Sequence, residues 1–146
     1  MPQATDAHLS LGAETAAGLM RPNPPVIRHR VTFTDALAIF IDRNLTVAPV
    51  IDDEGVPIGV LSVTDLLIHV RESAAGERGT PDLLGLPPVT AEALMTPTVF
   101  AVGPETPAAE VVSDMLRSKV HHLFVTDARG TITGVIAASD VLAHLK

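Results

Sequence analysis

The chain has 146 residues, a formal net charge of −7 and no cysteine, and 47% of its residues are hydrophobic. This length suits one compact domain or two small halves with a shared core, and the apolar fraction is too high for a disordered chain. The absence of cysteine excludes disulfides and thiolate chemistry. The acidic balance argues against nucleic acid as a partner, because neutralising phosphates with basic residues supplies much of that affinity.

Membrane and secretion signals are missing from the sequence. No apolar run reaches the roughly 18 to 20 residues of a membrane span, and the opening stretch MPQATDAHLSLGAE lacks the pattern of a secretory signal. We therefore expect a cytoplasmic protein with no membrane partner. We also expect residues 1–12 to form a flexible tail and residues 72–88, which are rich in Gly, Pro and charge, to form a linker.

In chain order, residues 13–71 predict five elements with the pattern β-α-β-β-α. They are a brief strand at Val26-Ile27, a helix whose apolar stripe is Phe33, Leu37, Phe40 and Ile41, a strand from Val47 to Ile51, a strand from Ile58 to Leu61, and a helix from Asp65 to Val70. A turn with Asp first and Gly last, Asp52 to Gly55, joins the two middle strands.

Residues 89–146 repeat the same pattern 75 positions later, without a gap. Leu19-Met20-x-Pro22 becomes Leu94-Met95-x-Pro97, and Gly59 and Asp65 become Gly134 and Asp140. The five elements recur as a strand at Phe100 to Val102, a helix with Val112, Met115 and Leu116, strands at His122 to Val125 and Ile132 to Ile136, and a helix from Asp140 to Leu145. Two such copies indicate two similar units that pack on each other about a pseudo-twofold axis.

The tandem pattern resembles the cystathionine-beta-synthase (CBS) domain. Its parts are Leu-Met-x-Pro, an amphipathic helix, an apolar strand, an Asp-x-x-Gly turn and Gly-h-h-x-x-x-Asp, where h is apolar. Two copies form a CBS pair, or Bateman module. The resemblance implies an α/β (α+β) fold of two β-α-β-β-α repeats, with their sheets packed together and their helices outside.

The same resemblance implies a regulatory module rather than an enzyme. Many CBS pairs bind an adenosine-containing ligand such as AMP, ADP, ATP, NAD or S-adenosylmethionine in a cleft between the repeats. They commonly form homodimers through their helices and pass ligand occupancy to an effector protein. No cofactor or metal is required in this interpretation, and the sequence leaves open whether Mg²⁺ accompanies the ligand.

The ligand motif of the family is Gly-h-x-Thr/Ser-x-x-Asp, in which the Asp contacts ribose hydroxyls. By position the first repeat offers Ser62 and Asp65, whereas the second offers Asp140 with Ala137 at the hydroxyl position and Ser139 nearby. This difference predicts that the first repeat holds the stronger site. The other predicted ligand contacts adjoin the motif or belong to the central strands: Thr64, Val47, Ala48, Pro49, His122 and Phe124. The candidate phosphate contacts are Arg21, Arg28 and Arg30.

Each of these residues also has an interpretation without a ligand. Ser62-x-x-Asp65 before an apolar run is a capping box, Phe124 is typical of strand packing, and the arginines suit a solvated basic patch. His121-His122 is a poor metal pair, because adjacent strand side chains point to opposite faces. The alternative function is therefore a ligand-free structural or dimerisation module. An enzyme is disfavoured because no nucleophile or metal-ligand spacing stands out.

Overall fold

The structure, a computed structural model, describes residues 12–76 and 88–145, with the side chains of 74–76 outside the description. Nearly all of the predicted tail and residues 77–87 of the predicted linker therefore lie outside the described residues. The described elements, in chain order, are α1 (Ala16–Leu19), β1 (Arg21–Pro22), β2 (Ile27–Arg28), α2 (Phe33–Arg43), β3 (Val47–Ile51), β4 (Pro57–Ser62), α3 (Val63–Gly76), α4 (Ala91–Leu94), β5 (Ala101–Val102), α5 (Ala108–Ser118), β6 (His122–Thr126), β7 (Ile132–Ala137) and α6 (Ala138–Ala143).

These elements form two compact units that differ from the two sequence repeats. The central unit comprises residues 25–99, and the terminal unit comprises 12–24 together with 100–145. Each unit thus combines the body of one repeat with the opening segment of the other. The β-α-β-β-α order predicted for each repeat body is confirmed.

The central unit is built on a three-stranded sheet in the order β2-β3-β4. β2 is parallel to β3, and β3 is antiparallel to β4. β2 is a two-residue edge strand that follows Pro24-Pro25, as expected where proline cannot donate to a ladder. The core of this unit packs the helices on one sheet face and consists of Ile27, Ala36, Phe40, Ala48, Val50, Leu61, Leu66 and Ala91.

The terminal unit has a four-stranded sheet in the order β1-β7-β6-β5. β5 is parallel to β6, whereas β1 and β6 both run antiparallel to β7. Gly130 in the β6–β7 turn and its equivalent Gly55 have φ near 85° and 84°, which glycine adopts without a steric penalty. The core of this unit consists of Ala16, Leu19, Ala108, Val111, Met115, Leu123, Val125 and Ile136.

The opening segment of each repeat packs tightly on a glycine of the other repeat's sheet. In the central unit a Cβ on Gly59 would lie 2.7 Å from the carbonyl oxygen of Thr96 and would also meet the Met95 side chain. In the terminal unit a Cβ on Gly134 would meet the Met20 side chain. The Gly of the repeated motif is therefore required by close packing of the Leu-Met-x-Pro segment, independently of any ligand.

The apolar stripes predicted for α2 and α5 need correction. Phe40 and Met115 are buried as expected, but Ile41 is 68% exposed and Leu116 is 74% exposed. The residues that complete the buried faces are Ala36 and Val111. Because apolar residues occupy two adjacent faces of each helix, the periodicity alone could not identify the face that meets the core.

The last helix of each repeat begins two residues earlier than predicted. α3 begins at Val63 and α6 at Ala138, directly after the preceding strand, so that Asp65 and Asp140 lie in the first turn. α3 also continues to Gly76, into the stretch predicted as a linker. An acidic side chain in the first turn is favoured by the helix dipole.

Candidate functional site

The junction of β4 and α3 in the central unit carries the first predicted ligand motif. The backbone N–H and the hydroxyl of Ser62 both donate to Asp65 Oδ2, at 2.9 and 3.0 Å. The backbone N–H of Asp65 donates back to Ser62 Oγ at 3.1 Å. This reciprocal pair is the capping box expected from the sequence, and all of its contacts lie within the chain.

The capping box leaves part of Asp65 available. Its Oδ2 carries both contacts with Ser62, whereas its Oδ1 accepts no hydrogen bond from the described residues. The side chain is partly exposed, and the neighbouring Thr64 is exposed. A half-exposed carboxylate oxygen at the start of a helix can accept hydrogen bonds from two vicinal hydroxyls of a sugar.

The strand beside this junction divides the predicted contacts between its two faces. Ala48 is 1% exposed and belongs to the core cluster, so its side chain cannot meet a ligand and only its backbone remains a candidate. Val47 and Pro49 alternate onto the opposite face. Because β2 pairs only with Val50 and Ile51, residues 47–49 have β4 as their sole ladder partner among the described strands.

The equivalent junction in the terminal unit is closed by an ion pair. Asp140 Oδ2 accepts the backbone N–H of Ala137 at 2.8 Å, as in the central unit. Its Oδ1 accepts a second hydrogen bond, from Arg21 Nε at 2.8 Å. Asp140 is only 8% exposed, so both of its oxygens are engaged and little of its surface is open.

The remaining predicted contacts of the second repeat differ in access. Phe124 is 3% exposed, which favours packing over stacking on a base, and Ser139 is exposed. His122 is half-buried, and burial lowers its pKa below the ordinary value. The positive charges of His121 and Arg21 act in the same direction, whereas Asp140 opposes them.

The three candidate phosphate contacts are divided between the two units. Arg21 belongs to the terminal unit and is paired with Asp140. Arg28 and Arg30 belong to the central unit, where both are exposed and Arg30 lies 3.8 Å from the carboxylate of Asp53. Only the last two therefore share a unit with Ser62 and Asp65.

A histidine cluster in the central unit escaped the sequence analysis. The Nδ1 of His29 lies 3.1 Å from Glu92 Oε1, and its Nε2 lies 3.1 Å from Asp53 Oδ1. Hydrogen bonds to Glu92 and then to Asp53 raise the pKa of His29 above its ordinary value. The hydrogen bond to His29, followed by the charge of Arg30, lowers the pKa of Asp53. The cluster joins three separate segments of the chain, so no local sequence motif predicts it.

Metal and membrane features are not found in the described part of the chain. Over residues 12–76 and 88–145, no group of three or more His, Asp or Glu residues is placed to hold a metal ion. None of the helices within those ranges is both long and apolar enough to cross a membrane.

Comparison with protein families gives two matches along the chain. The model of the CBS domain matches residues 16–72 and 91–146. The chloroplastic CBS domain-containing protein CBSX2 of Arabidopsis thaliana is 27% identical over an alignment 150 residues long. The alignment covers 90% of this chain and 63% of that protein. Subunit gamma-3 of the 5'-AMP-activated protein kinase of Bos taurus is 28% identical over 120 residues, covering 82% of this chain and 24% of the subunit. The chain spans less than two thirds of either relative.

Solved structures show the same architecture. The structure of CBSX2 in complex with AMP is 26% identical, with a TM-score of 0.72 over 90% of this chain and 95% of that one. The cytosolic domain of the Mg²⁺ channel MgtE in complex with ATP is 25% identical, with a TM-score of 0.71 over 89% of this chain and 48% of that one. Two sheets with helices, repeated along the chain, are thus common to this protein and its structural relatives.

Proposed function

The chain belongs to the CBS-domain family as a tandem pair, and from that premise we propose that it is a regulatory module that senses an adenine nucleotide. The site is the β4–α3 junction of the central unit, and Asp65 is the residue that accepts the ribose hydroxyls. The observation that carries this assignment is that Oδ1 of the partly exposed Asp65 accepts no hydrogen bond from the described residues, whereas both carboxylate oxygens of Asp140 are engaged.

The chemistry of the junction suits a nucleoside better than a bare anion. A carboxylate attracts hydroxyl donors and repels phosphate, so the sugar is the part of the ligand that faces Asp65. The hydroxyl of Ser62 and the exposed Thr64 flank that position. The first N–H groups of the 14-residue helix α3 favour a negative charge beyond the sugar.

The base and phosphates have candidate partners in the same unit. The backbone of residues 47–49 lacks a ladder partner on the β2 side among the described strands. The N–H and carbonyl of Val47 and the carbonyl of Pro49, which has no N–H, are therefore the candidate partners for the edge of an adenine ring. Arg28 and Arg30 are exposed cations for the phosphates. The ligands we would test are AMP, ADP, ATP, NAD and S-adenosylmethionine; solved relatives hold AMP and ATP.

Signalling requires a partner, and we propose a homodimer that reports to an effector protein. Apolar side chains on the outer helix faces are widely exposed, with Leu67 at 62% and Leu142 at 66% beside Ile41 and Leu116. Each unit thus carries an exposed apolar helix face, and a twofold dimer would bury the same face of both copies. Nucleotide binding would then favour one arrangement by its differential affinity for the available states. No catalytic step is assigned.

Thermal unfolding with a nucleotide panel tests this proposal. At a ligand concentration of 100 times Kd, binding adds about 2.7 kcal/mol, which corresponds to an increase in Tm of roughly 5 to 10 °C for a chain of this size. Asp65→Asn keeps an acceptor for the Ser62 cap but places an amide group where the sugar hydroxyls bind, so the increase should vanish. The matched variant Asp140→Asn should retain it.

One observation favours a second candidate function, a ligand-free structural module. The Ser62–Asp65 capping box is made entirely of contacts within the chain, so stability alone can account for both residues. This candidate predicts that no nucleotide raises the Tm of the folded wild-type protein. It also predicts that Ser62→Ala and Asp65→Ala lower stability by about 0.5 to 2 kcal/mol, the usual cost of a lost helix cap.

A further inference from the structure

Arg21 and Thr96 occupy equivalent positions, one residue after the Met of each Leu-Met-x-Pro segment. Because the opening segments pack on the other repeat's sheet, Arg21 pairs with Val135 in β7. Thr96 forms the corresponding bridge with Val60 in β4. Each residue therefore lies next to the strand that leads into a motif Asp, Arg21 near Asp140 and Thr96 in the unit of Asp65.

The difference in side chain has a direct consequence in the terminal unit. The guanidinium of Arg21 donates from Nε to Asp140 Oδ1 at 2.8 Å. The Asp140 side chain is 10% exposed, whereas that of Arg21 is 69% exposed. The arginine thus lies on the solvent side of the carboxylate and takes the oxygen that corresponds to the free Oδ1 of Asp65. A sugar hydroxyl would have to displace a charge-assisted hydrogen bond to reach it.

The central unit has no such cover. Thr96 is exposed, and among the described residues no cation forms an ion pair with Asp65. Threonine is too short and uncharged to hold a carboxylate across the strand as arginine does. The two junctions therefore share the same backbone cap but differ in whether the acceptor of the Asp is open.

We propose that Arg21 closes the site in the terminal unit that is equivalent to the Asp65 site, so that each chain binds one nucleotide. This inference rests on the proposed function, because it assumes that a motif Asp with a free oxygen accepts the ribose. The difference in ligand binding between the two repeats would then have two causes. One is the ion pair of Asp140 with Arg21 from the opposite repeat, and the other is the Ser-to-Ala difference within the motif.

Reciprocal exchange of the two residues tests the proposal. Calorimetric titration with AMP gives the number of nucleotides per chain for the wild type, for Arg21→Thr and Ala137→Ser alone and in combination, and for Thr96→Arg. We expect one nucleotide in the wild type and two in the double variant. We expect Thr96→Arg to weaken AMP binding by at least about tenfold, since a new arginine would engage Asp65. Arg21→Lys keeps the positive charge and should leave the number at one.

The outcomes separate this inference from the function on which it rests. One nucleotide in both the wild type and a folded double variant would overturn the role of Arg21 while leaving the sensor intact. Weaker binding in Arg21→Thr alone would also overturn it, because Arg21 would then contact the nucleotide itself. No binding to the wild type would overturn the proposed function. In that case a single site gained in the double variant would still support the role of Arg21, whereas no site in the double variant would overturn that role as well.

Discussion

Substituting alanine for Gly59 should destabilise the protein more than the same change at Gly134. A Cβ at Gly59 would lie 2.7 Å from the Thr96 carbonyl oxygen, whereas at Gly134 the nearest backbone atom, the Arg21 carbonyl oxygen, would be 3.1 Å away. Both would also press on a methionine, Met95 in the first case, but that side chain is flexible and can move aside.

The Thr96 carbonyl cannot move as easily. It accepts the N–H of Val60 at 2.9 Å, and the N–H of Thr96 donates back to Val60 over the same distance. Overpacking costs about 1 to 3 kcal/mol, and a lost backbone hydrogen bond adds about 1 kcal/mol. We therefore expect Gly59→Ala to lower the free energy of unfolding by about 2 to 4 kcal/mol and Gly134→Ala by about 1 kcal/mol.

Urea unfolding followed by far-UV circular dichroism measures this difference. Tryptophan and tyrosine are absent from the chain, so intrinsic fluorescence offers no convenient signal. Interpretation requires that the slope with urea is unchanged in both variants. Equal losses, or a larger loss for Gly134→Ala, would refute the argument that the Thr96 backbone, and not the methionine, limits the space at this glycine.

Three further predictions concern titration and assembly. The pKa of His29 is raised on folding, so its contribution to stability is full below the unfolded value of 6.5 and is lost as pH rises through the higher folded value. The difference in unfolding free energy between the wild type and Glu92→Gln should therefore shrink from pH 6 to pH 8. A constant difference would argue against the His29 cluster. The low pKa of His122 has the opposite effect, since its neutral form is favoured and stability falls as pH drops through 6.5. NMR titration of Arg21→Thr should show the pKa of His122 rising, because a cation that lowers it is gone, and an unchanged value would show that Arg21 does not influence that pKa. Leu116 is 74% exposed and belongs to the proposed interface, so Leu116→Lys should convert the proposed dimer to a monomer in size-exclusion chromatography with light scattering; an intact dimer would place the interface elsewhere.

The order of elements within each repeat could be predicted because it depends on local chemistry. The strand at Val47 to Ile51 is a continuous apolar run, and the turn at Gly55 requires a positive φ that favours glycine. The capping role of Ser62 and Asp65 is likewise written within four residues. Such features need no knowledge of distant parts of the chain.

The features that the sequence did not reveal depend on long-range contacts. Arg21 and Asp140 are 119 positions apart, and they meet only because the opening segment of the first repeat joins the sheet of the second. The available signal was that the first repeat has Arg21 where the second has Thr96. This difference can be interpreted only when it is known that the opening segment of each repeat joins the sheet of the other. Ile41 and Leu116 show the same limit, since hydrophobic periodicity does not distinguish an apolar face that packs in the core from one that is exposed.

The most direct test of the central claim is an amide NMR titration of the wild-type protein with AMP. We expect the largest shifts at Ser62, Thr64 and Asp65 and at Val47 and Ala48, since Pro49 has no amide proton, while the amides of Ala137 and Asp140 respond little. Shifts centred on Ala137 and Asp140, or no shifts at millimolar AMP with the spectrum of a folded protein, would contradict it.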